Sequence, residues 1–147
     1  MIDLFYHIAI TRMEETIFSK IIAGEIPAEI VYEDDDVLAF LDISPNNPGH
    51  TLVIPKEYSR NLLSITPESW SKVMEVARKL SVAIKEATGA DGINIMMNNE
   101  PVAGQIVFHT HVHVIPRHEG DGFKHWPGKE YGEGEAGKIA ESIRQQL

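Results

Sequence analysis

Three histidines recur at every second position near the end of the chain, at His109, His111 and His113. In a β-strand alternate side chains point to the same face, so this spacing predicts three imidazoles on one side of a strand. They are three of the chain's seven histidines, and core packing alone does not require such a concentration. The spacing therefore predicts a site of histidine chemistry.

Two kinds of chemistry use such a row of imidazoles. Neutral imidazole is a common zinc ligand, and three of them can leave a fourth, catalytic position open. Alternatively, one ring nitrogen attacks phosphorus and forms a transient nucleotidyl-histidine. The second chemistry also needs a neighbour that fixes the tautomer and donors for the phosphate oxygens and the leaving atom. The three histidines by themselves leave both alternatives open.

Composition limits the setting and the partners of this site. The chain has 147 residues, a length typical of one domain, and it has no cysteine, which excludes disulfides and thiolate metal sites and favours a reducing compartment. Its net charge of −9 disfavours binding to nucleic acids and to anionic membranes. Because no apolar run reaches the roughly 20 residues of a membrane span, we expect a cytoplasmic protein.

The elements that must position the histidines are those of an α+β domain built on an antiparallel sheet. A long helix is expected to begin after the N-cap Thr66 and to end at Gly89. Hydrophobic periodicity and turn residues predict the remaining elements: a short helix over 16–23, strands over 30–32, 37–41, 50–55, 92–97 and 107–115, and a last helix over about 136–146. The sheet then has five strands, and the histidines lie on the fifth.

The residues around the histidines extend the pattern. Segment 104–117 reads GQIVFHTHVHVIPR and resembles the signature of the histidine triad (HIT) family, in which His alternates with apolar residues; Thr110 is the one departure. Three upstream segments are similar to that family in order and spacing: FSKIIAGEIP at 18–27, LDISP at 41–45 and GHTLVIPK at 49–56. Four separated motifs therefore agree.

The resemblance implies a fold and a division of the chain. A HIT fold is a five-stranded antiparallel sheet with one long helix and short helices, and two such sheets pair in a homodimer. The implied division is an N-terminal extension at 1–14, a HIT domain at 15–118, and a C-terminal tail with a short helix at 119–147. His125, Trp126 and Pro127 of the tail resemble the Hint branch of the family.

The resemblance also implies an activity. HIT proteins bind nucleoside monophosphates and transfer or hydrolyse nucleotidyl groups. The implied function is a metal-independent hydrolase or transferase that cleaves a purine nucleotide conjugate, a phosphoramidate or dinucleoside polyphosphate, at the α-phosphate. By the same resemblance His111 is the nucleophile and His113 contacts the phosphate and the leaving atom. His109 orients the site, its carbonyl holding the His111 ring and its side chain meeting His50.

Further residues match the family's nucleotide site, where an AMP-type ligand is expected. Gln105 matches a donor to the phosphate, Asp42 matches the acid that accepts the ribose hydroxyls, and Asn98 or Asn99 supplies another donor. A carboxylate in a turn suits both vicinal hydroxyls of a ribose, and the alternative for Asp42 is to accept a local backbone N–H. The implied base pocket consists of Ile17, Phe18, Ile21, Phe40 and Leu41.

Two departures from the family affect these expectations. Some bacterial HIT proteins bind a structural zinc through Cys-x-x-Cys and two histidines, but the matching positions here are Thr16 and Ser19. We therefore expect no structural zinc, and no cofactor. Ile106 stands where a serine or threonine often contacts phosphate. Two alternatives stay open: a metal-dependent hydrolase that uses the histidines as ligands, and a nucleotide-binding protein with vestigial catalysis.

Overall fold

The computed structural model describes residues 15–147, so the expected extension at 1–14 lies outside the described residues. Five strands form one antiparallel sheet in the order β1-β2-β3-β5-β4. The sheet confirms the α+β prediction. Its strands are β1 (Ile30–Glu33), β2 (Val37–Leu41), β3 (Thr51–Pro55), β4 (Gly92–Met96) and β5 (Val112–Arg117).

The helices begin and end close to the predicted residues because their caps are encoded locally. Helix α1 (Ile17–Ile22) starts at a capping box between Thr16 and Ser19. Helix α2 (Pro67–Thr88) starts at the Thr66 cap and ends at Gly89, which adopts the left-handed conformation with φ 66°. Helix α3 (Glu135–Arg144) lies in the tail. None of the helices within 15–147 is long and apolar enough to cross a membrane.

The sheet separates two apolar clusters. Since strand residues alternate between faces, Val53 faces α2 while Leu52 faces α1. The cluster on the α2 side contains Val37, Ala39, Val53, Val112, Val114, Val73, Val76, Ala77, Leu80 and Ile84. The cluster on the α1 side contains Leu38, Phe40, Leu52, Ile54, Phe18 and Ile21. His113 pairs with Leu52 across the β3–β5 ladder, so its side chain belongs to the α1 face.

The predicted fifth strand is wrong in its first half. β5 begins at Val112 rather than at 107, and it continues through Pro116 to Arg117. Residues 107–111 pair with none of the strands within 15–147; the Thr110 N–H instead donates to the Ser59 carbonyl at 2.7 Å. Only His113 of the three histidines is therefore a strand residue. The other two are carried by irregular chain, whose position depends on contacts with distant segments.

Candidate active site

The His111 ring is held by the backbone of its own segment. His111 is buried, and its Nδ1 lies 2.7 Å from the His109 carbonyl oxygen, the contact that the sequence predicted. A carbonyl only accepts, so His111 Nδ1 carries the proton and the lone pair of the neutral ring is on Nε2. Burial lowers the pKa of His111, although the His109 carbonyl and the Asp42 carboxylate oppose the shift. His111 thus offers an unprotonated Nε2.

His50 contacts and orients His113. The sequence suggested that His50 would contact the His109 side chain, but the structure places it against His113 instead. The Asn46 N–H donates to His50 Nδ1 at 3.1 Å, so the proton of neutral His50 is on Nε2. His50 Nε2 lies 2.8 Å from His113 Nδ1 and donates to it. Neutral His113 therefore carries its proton on Nε2, a buried atom that has no hydrogen-bond partner among residues 15–147.

The electrostatics of His113 keep the ring uncharged. Burial lowers its pKa to about 4, with His111 and His50 adding to the shift and Asp42 opposing it. The His111 and His113 rings are 5.0 Å apart between centroids. The Nε2–H donor of His113 and the Nε2 lone pair of His111 therefore lie on neighbouring rings. This arrangement suits a ligand in which one atom accepts a hydrogen bond from His113 while an adjacent electrophilic atom faces His111.

The His109 side chain is an anchor in the core. It is fully buried, and its Nε2 lies 2.8 Å from the Pro55 carbonyl oxygen. Its Nδ1 is then an acceptor, and the Thr16 hydroxyl lies 3.4 Å away. Phe18 and Tyr58 pack edge-on against the ring. Because each polar atom of His109 faces a protein group, its side chain positions the backbone and offers nothing to a ligand.

The five residues predicted for a base pocket separate into two sets. Phe18, Ile21 and Phe40 are buried, and Phe18 packs edge-to-face against His111 at 5.1 Å between centroids. Ile17 and Leu41 are exposed by 50% and 38%, so their side chains are accessible to a ligand. An open cleft of about 510 Å³ lies where α1 begins, and it is lined by Glu15, Thr16, Ile17, Ile106, Val107 and Phe108.

Asp42 makes the local turn contact that its position allowed, and its second oxygen lies near His50. Its Oδ1 accepts the Ser44 N–H at 2.8 Å, the Asx turn that its position predicted. Its Oδ2 lies 3.7 Å from His50 Nε2 and keeps a partly exposed position. The carboxylate therefore has an oxygen directed toward the histidines, and the structure leaves it accessible.

Gln105 does not point a donor toward the histidines. It is buried, and its Nε2 donates to the Arg60 and Val107 carbonyls at 2.7 and 3.1 Å. Both amide hydrogens are used, so the predicted donation to phosphate is absent from this arrangement. Asn98 donates to the Gly104 carbonyl at 3.3 Å, and the Asn99 oxygen accepts the Leu62 N–H at 2.8 Å. The Asn99 amino group has no acceptor among residues 15–147.

Sequence reasoning missed two sets of residues. Asn46 fixes the tautomer of His50 through its backbone, and a backbone donor leaves no residue-type signal. Asn61 donates to Glu100 and to Gln105, in the loop before His109 and His111, at separations of 39 and 44 residues along the chain. Spacing patterns do not reveal such contacts.

Comparisons with known proteins point to one family. The HIT domain family model matches residues 23–120. The chain is 50% identical over 111 residues to Protein hit of Bacillus subtilis, which covers 75% of this chain and 77% of that protein. It is 42% identical over 111 residues to Adenylylsulfatase HINT3 of Arabidopsis thaliana, covering 76% of this chain and 56% of that protein.

Two solved structures illustrate the similarity of fold. A HIT family protein from Bacillus anthracis superposes with a TM-score of 0.84 at 42% identity, covering 92% of this chain and 99% of that one. A zinc-bound histidine triad family protein from Mycobacterium smegmatis gives a TM-score of 0.71 at 35% identity, covering 88% and 96%. The second raises the question of whether this chain has zinc ligands.

The residues beside α1 do not fit a structural zinc. Thr16 and Ser19 offer neutral hydroxyls where thiolates would be needed, and those hydroxyls are bonded to each other's backbone N–H and C=O groups. Elsewhere, Asp42, His50 and His113 place one possible ligand atom each within 4.8 Å of one another. A metal on His50 Nε2 would require the proton to move to Nδ1, where it would face the Asn46 N–H. The observed hydrogen bonds therefore disfavour a metal there.

The buried histidines predict that stability falls in acid. His50, His109, His111 and His113 all have pKa values lowered mainly by burial. Between pH 6.5 and about 4 the unfolded chain binds more protons than the folded one, so the free energy of unfolding rises with pH. We expect a loss on the order of 2 kcal/mol from pH 7.5 to pH 4.5.

Denaturant unfolding at a series of pH values measures this slope. His113→Gln removes the most strongly shifted group and should flatten the curve below pH 6.5. A free energy of unfolding that stays constant or increases toward pH 4.5 would contradict the assignment of neutral, buried imidazoles.

Proposed function

The chain belongs to the HIT domain family, and from this premise we propose that it cleaves purine nucleotide conjugates at the α-phosphate through a nucleotidyl-histidine on His111, without a metal ion. Family membership supports nucleotide hydrolase or transferase chemistry. The Arabidopsis relative is named an adenylylsulfatase, which fits an adenylyl group on the substrate. A phosphoramidate or a dinucleoside polyphosphate is the expected class of conjugate.

One observation carries the proposal: the His113 Nε2 proton is buried without an acceptor in the part of the chain that the structure describes, beside the unprotonated His111 Nε2. Buried polar atoms are rarely left unpaired, so such an atom indicates a ligand or a water. A phosphate oxygen or a leaving atom would accept this proton's hydrogen bond while its phosphorus faces His111. The two rings thereby have complementary roles.

The reaction then takes place in two displacements. His111 Nε2 attacks the α-phosphorus, a P–N bond forms, and the bond to the leaving group breaks with its electron pair leaving on that group. His113 Nε2–H stabilises the charge that develops on the leaving atom or the phosphate. Water then attacks phosphorus, the P–N electron pair returns to Nε2, and the proton released by water balances the one taken up by the leaving group.

The remaining nucleotide contacts are proposed from the same geometry. Ile17 and Leu41 offer accessible apolar surface to the base, with Phe18, Ile21 and Phe40 beneath it. We choose Asn99 over Asn98 as the donor, because the Asn99 amino group makes no hydrogen bond among residues 15–147 whereas the Asn98 amino group bonds to Gly104. We include a homodimer and a cytoplasmic setting in the proposal, on the resemblance and the composition alone.

The central prediction concerns His111. Wild-type protein should hydrolyse an adenosine 5′-phosphoramidate or a diadenosine polyphosphate in the presence of EDTA. His111→Asn should lower kcat by at least about 10³-fold, because the nucleophile is gone, while AMP affinity measured by calorimetry stays within a few fold. His125→Asn, in the exposed tail, is the matched control and should retain wild-type kcat.

Other outcomes would contradict this assignment. Loss of turnover in EDTA, restored by a divalent metal, would favour a metal-dependent hydrolase. AMP binding with no turnover of either substrate, in wild type and variant alike, would favour a binding function with vestigial catalysis.

Asp42 is proposed to accept the ribose hydroxyls. Asp42→Asn should weaken AMP binding about tenfold, because hydrogen bonds to a charged acceptor contribute about 1.5–3 kcal/mol. Affinity for 2′,3′-dideoxy-AMP, which lacks both hydroxyls, should be nearly the same in wild type and variant. An equal loss for the two ligands would show instead that Asp42 acts only through His50.

A further inference from the structure

The segment 58–62, between β3 and α2, is bonded directly to the chain that carries His109 and His111. The Tyr58 hydroxyl donates to the Phe108 carbonyl at 3.1 Å. The Thr110 N–H donates to the Ser59 carbonyl at 2.7 Å, and the Ser59 and Thr110 hydroxyls are also 2.7 Å apart. Because residues 107–111 pair with none of the five described strands, these contacts take the place of a β-ladder there.

The buried side-chain amides of Asn61 and Gln105 join segment 58–62 to the loop that precedes residues 107–111. Asn61 Nδ2 donates to Gln105 Oε1 at 3.0 Å and to Glu100 Oε1 at 2.8 Å. The Gln105 amino group donates to the Arg60 and Val107 carbonyls. Asn61 and Gln105 are almost fully buried, so losing one bond leaves a buried polar atom unpaired and disturbs its neighbours.

Glu100 is held in a backbone conformation that favours glycine. Its φ of 73° and ψ of 156° make it the one non-glycine residue at positive φ between 15 and 147. Its carboxylate accepts two hydrogen bonds from Arg60, at 3.1 and 2.9 Å, and its N–H donates to Gln105 Oε1 at 2.9 Å. The Arg60 guanidinium also lies 4.2 Å above the Phe108 ring. The carboxylate therefore connects the strained loop to the residue before His109.

We propose that Glu100 and Asn61 are positioning residues that set the His109 carbonyl, and through it the His111 ring. Neither residue is assigned a substrate contact. The inference rests on the proposed function for its kinetic readout, but its structural consequence can be measured without turnover.

A comparison of variants at Glu100 tests the proposal. Glu100→Gly relaxes the strained backbone and removes the carboxylate, so Tm should change by only a few degrees while kcat falls at least tenfold and AMP affinity stays within threefold. Glu100→Gln keeps an acceptor for Asn61 and Arg60, so kcat should recover to within threefold of wild type. Val102→Ala, on the same loop and fully exposed, is the control and should retain wild-type kcat and Tm.

Asn61→Asp supplies a pH-dependent readout. The new carboxylate cannot donate to Glu100 when ionised, but its protonated form can, and two adjacent carboxylates raise each other's pKa. The ratio of variant to wild-type kcat should therefore rise as pH falls from 8 to 6. A ratio that stays constant would contradict a positioning role for this donor.

The outcomes separate this inference from the proposed function. Wild-type kcat in Glu100→Gly, or a loss of kcat that follows Tm and is not restored by Glu100→Gln, would overturn the inference alone. Absence of turnover in wild type would overturn the proposed function, and amide hydrogen exchange would then decide. Faster exchange at residues 106–111 in Glu100→Gly, but not in Glu100→Gln, would support positioning; unchanged exchange would overturn it.

Discussion

The hydrogen bond from His111 Nδ1 to the His109 carbonyl is the interaction on which the site depends. It removes one of the two tautomers of the neutral ring and leaves the lone pair on Nε2. Burial contributes the second condition, because it lowers the pKa of the imidazole and so keeps that lone pair free of a proton near neutral pH. The same peptide that holds His111 is anchored by the buried His109 side chain.

A second series of hydrogen bonds runs from the Asn46 N–H to His50 and from His50 to His113. It leaves the His113 proton on Nε2, whereas His111 has its lone pair on Nε2. The fold brings these residues together by means of the turn before β3. Gly49 has φ of 98°, and a Cβ there would lie 2.7 Å from the Thr88 methyl group at the end of α2. Only glycine permits this approach, so the long helix α2 and strand β3 are coupled through one turn.

The sequence predicted most of the fold and part of the site, for physical reasons. Caps such as Thr66 and Gly89 are local signals, so the ends of α2 could be predicted from the sequence. Alternation cannot distinguish a strand from irregular chain bonded to a distant loop, so β5 was predicted to begin too early. The side-chain partners of His109 and Gln105 depend on contacts 50 residues apart or more, or on buried amides, which no spacing pattern encodes.

Nitrogen-15 NMR of histidine-labelled protein, titrated from pH 8 to pH 4, tests the account most directly. It reports the tautomer and the pKa of each ring. The account predicts neutral His111 protonated on Nδ1 and neutral His113 protonated on Nε2 at pH 7, with His113 titrating near pH 4. A His111 ring protonated on Nε2, or charged at pH 7, would leave Nε2 without a lone pair for attack and would contradict the central claim.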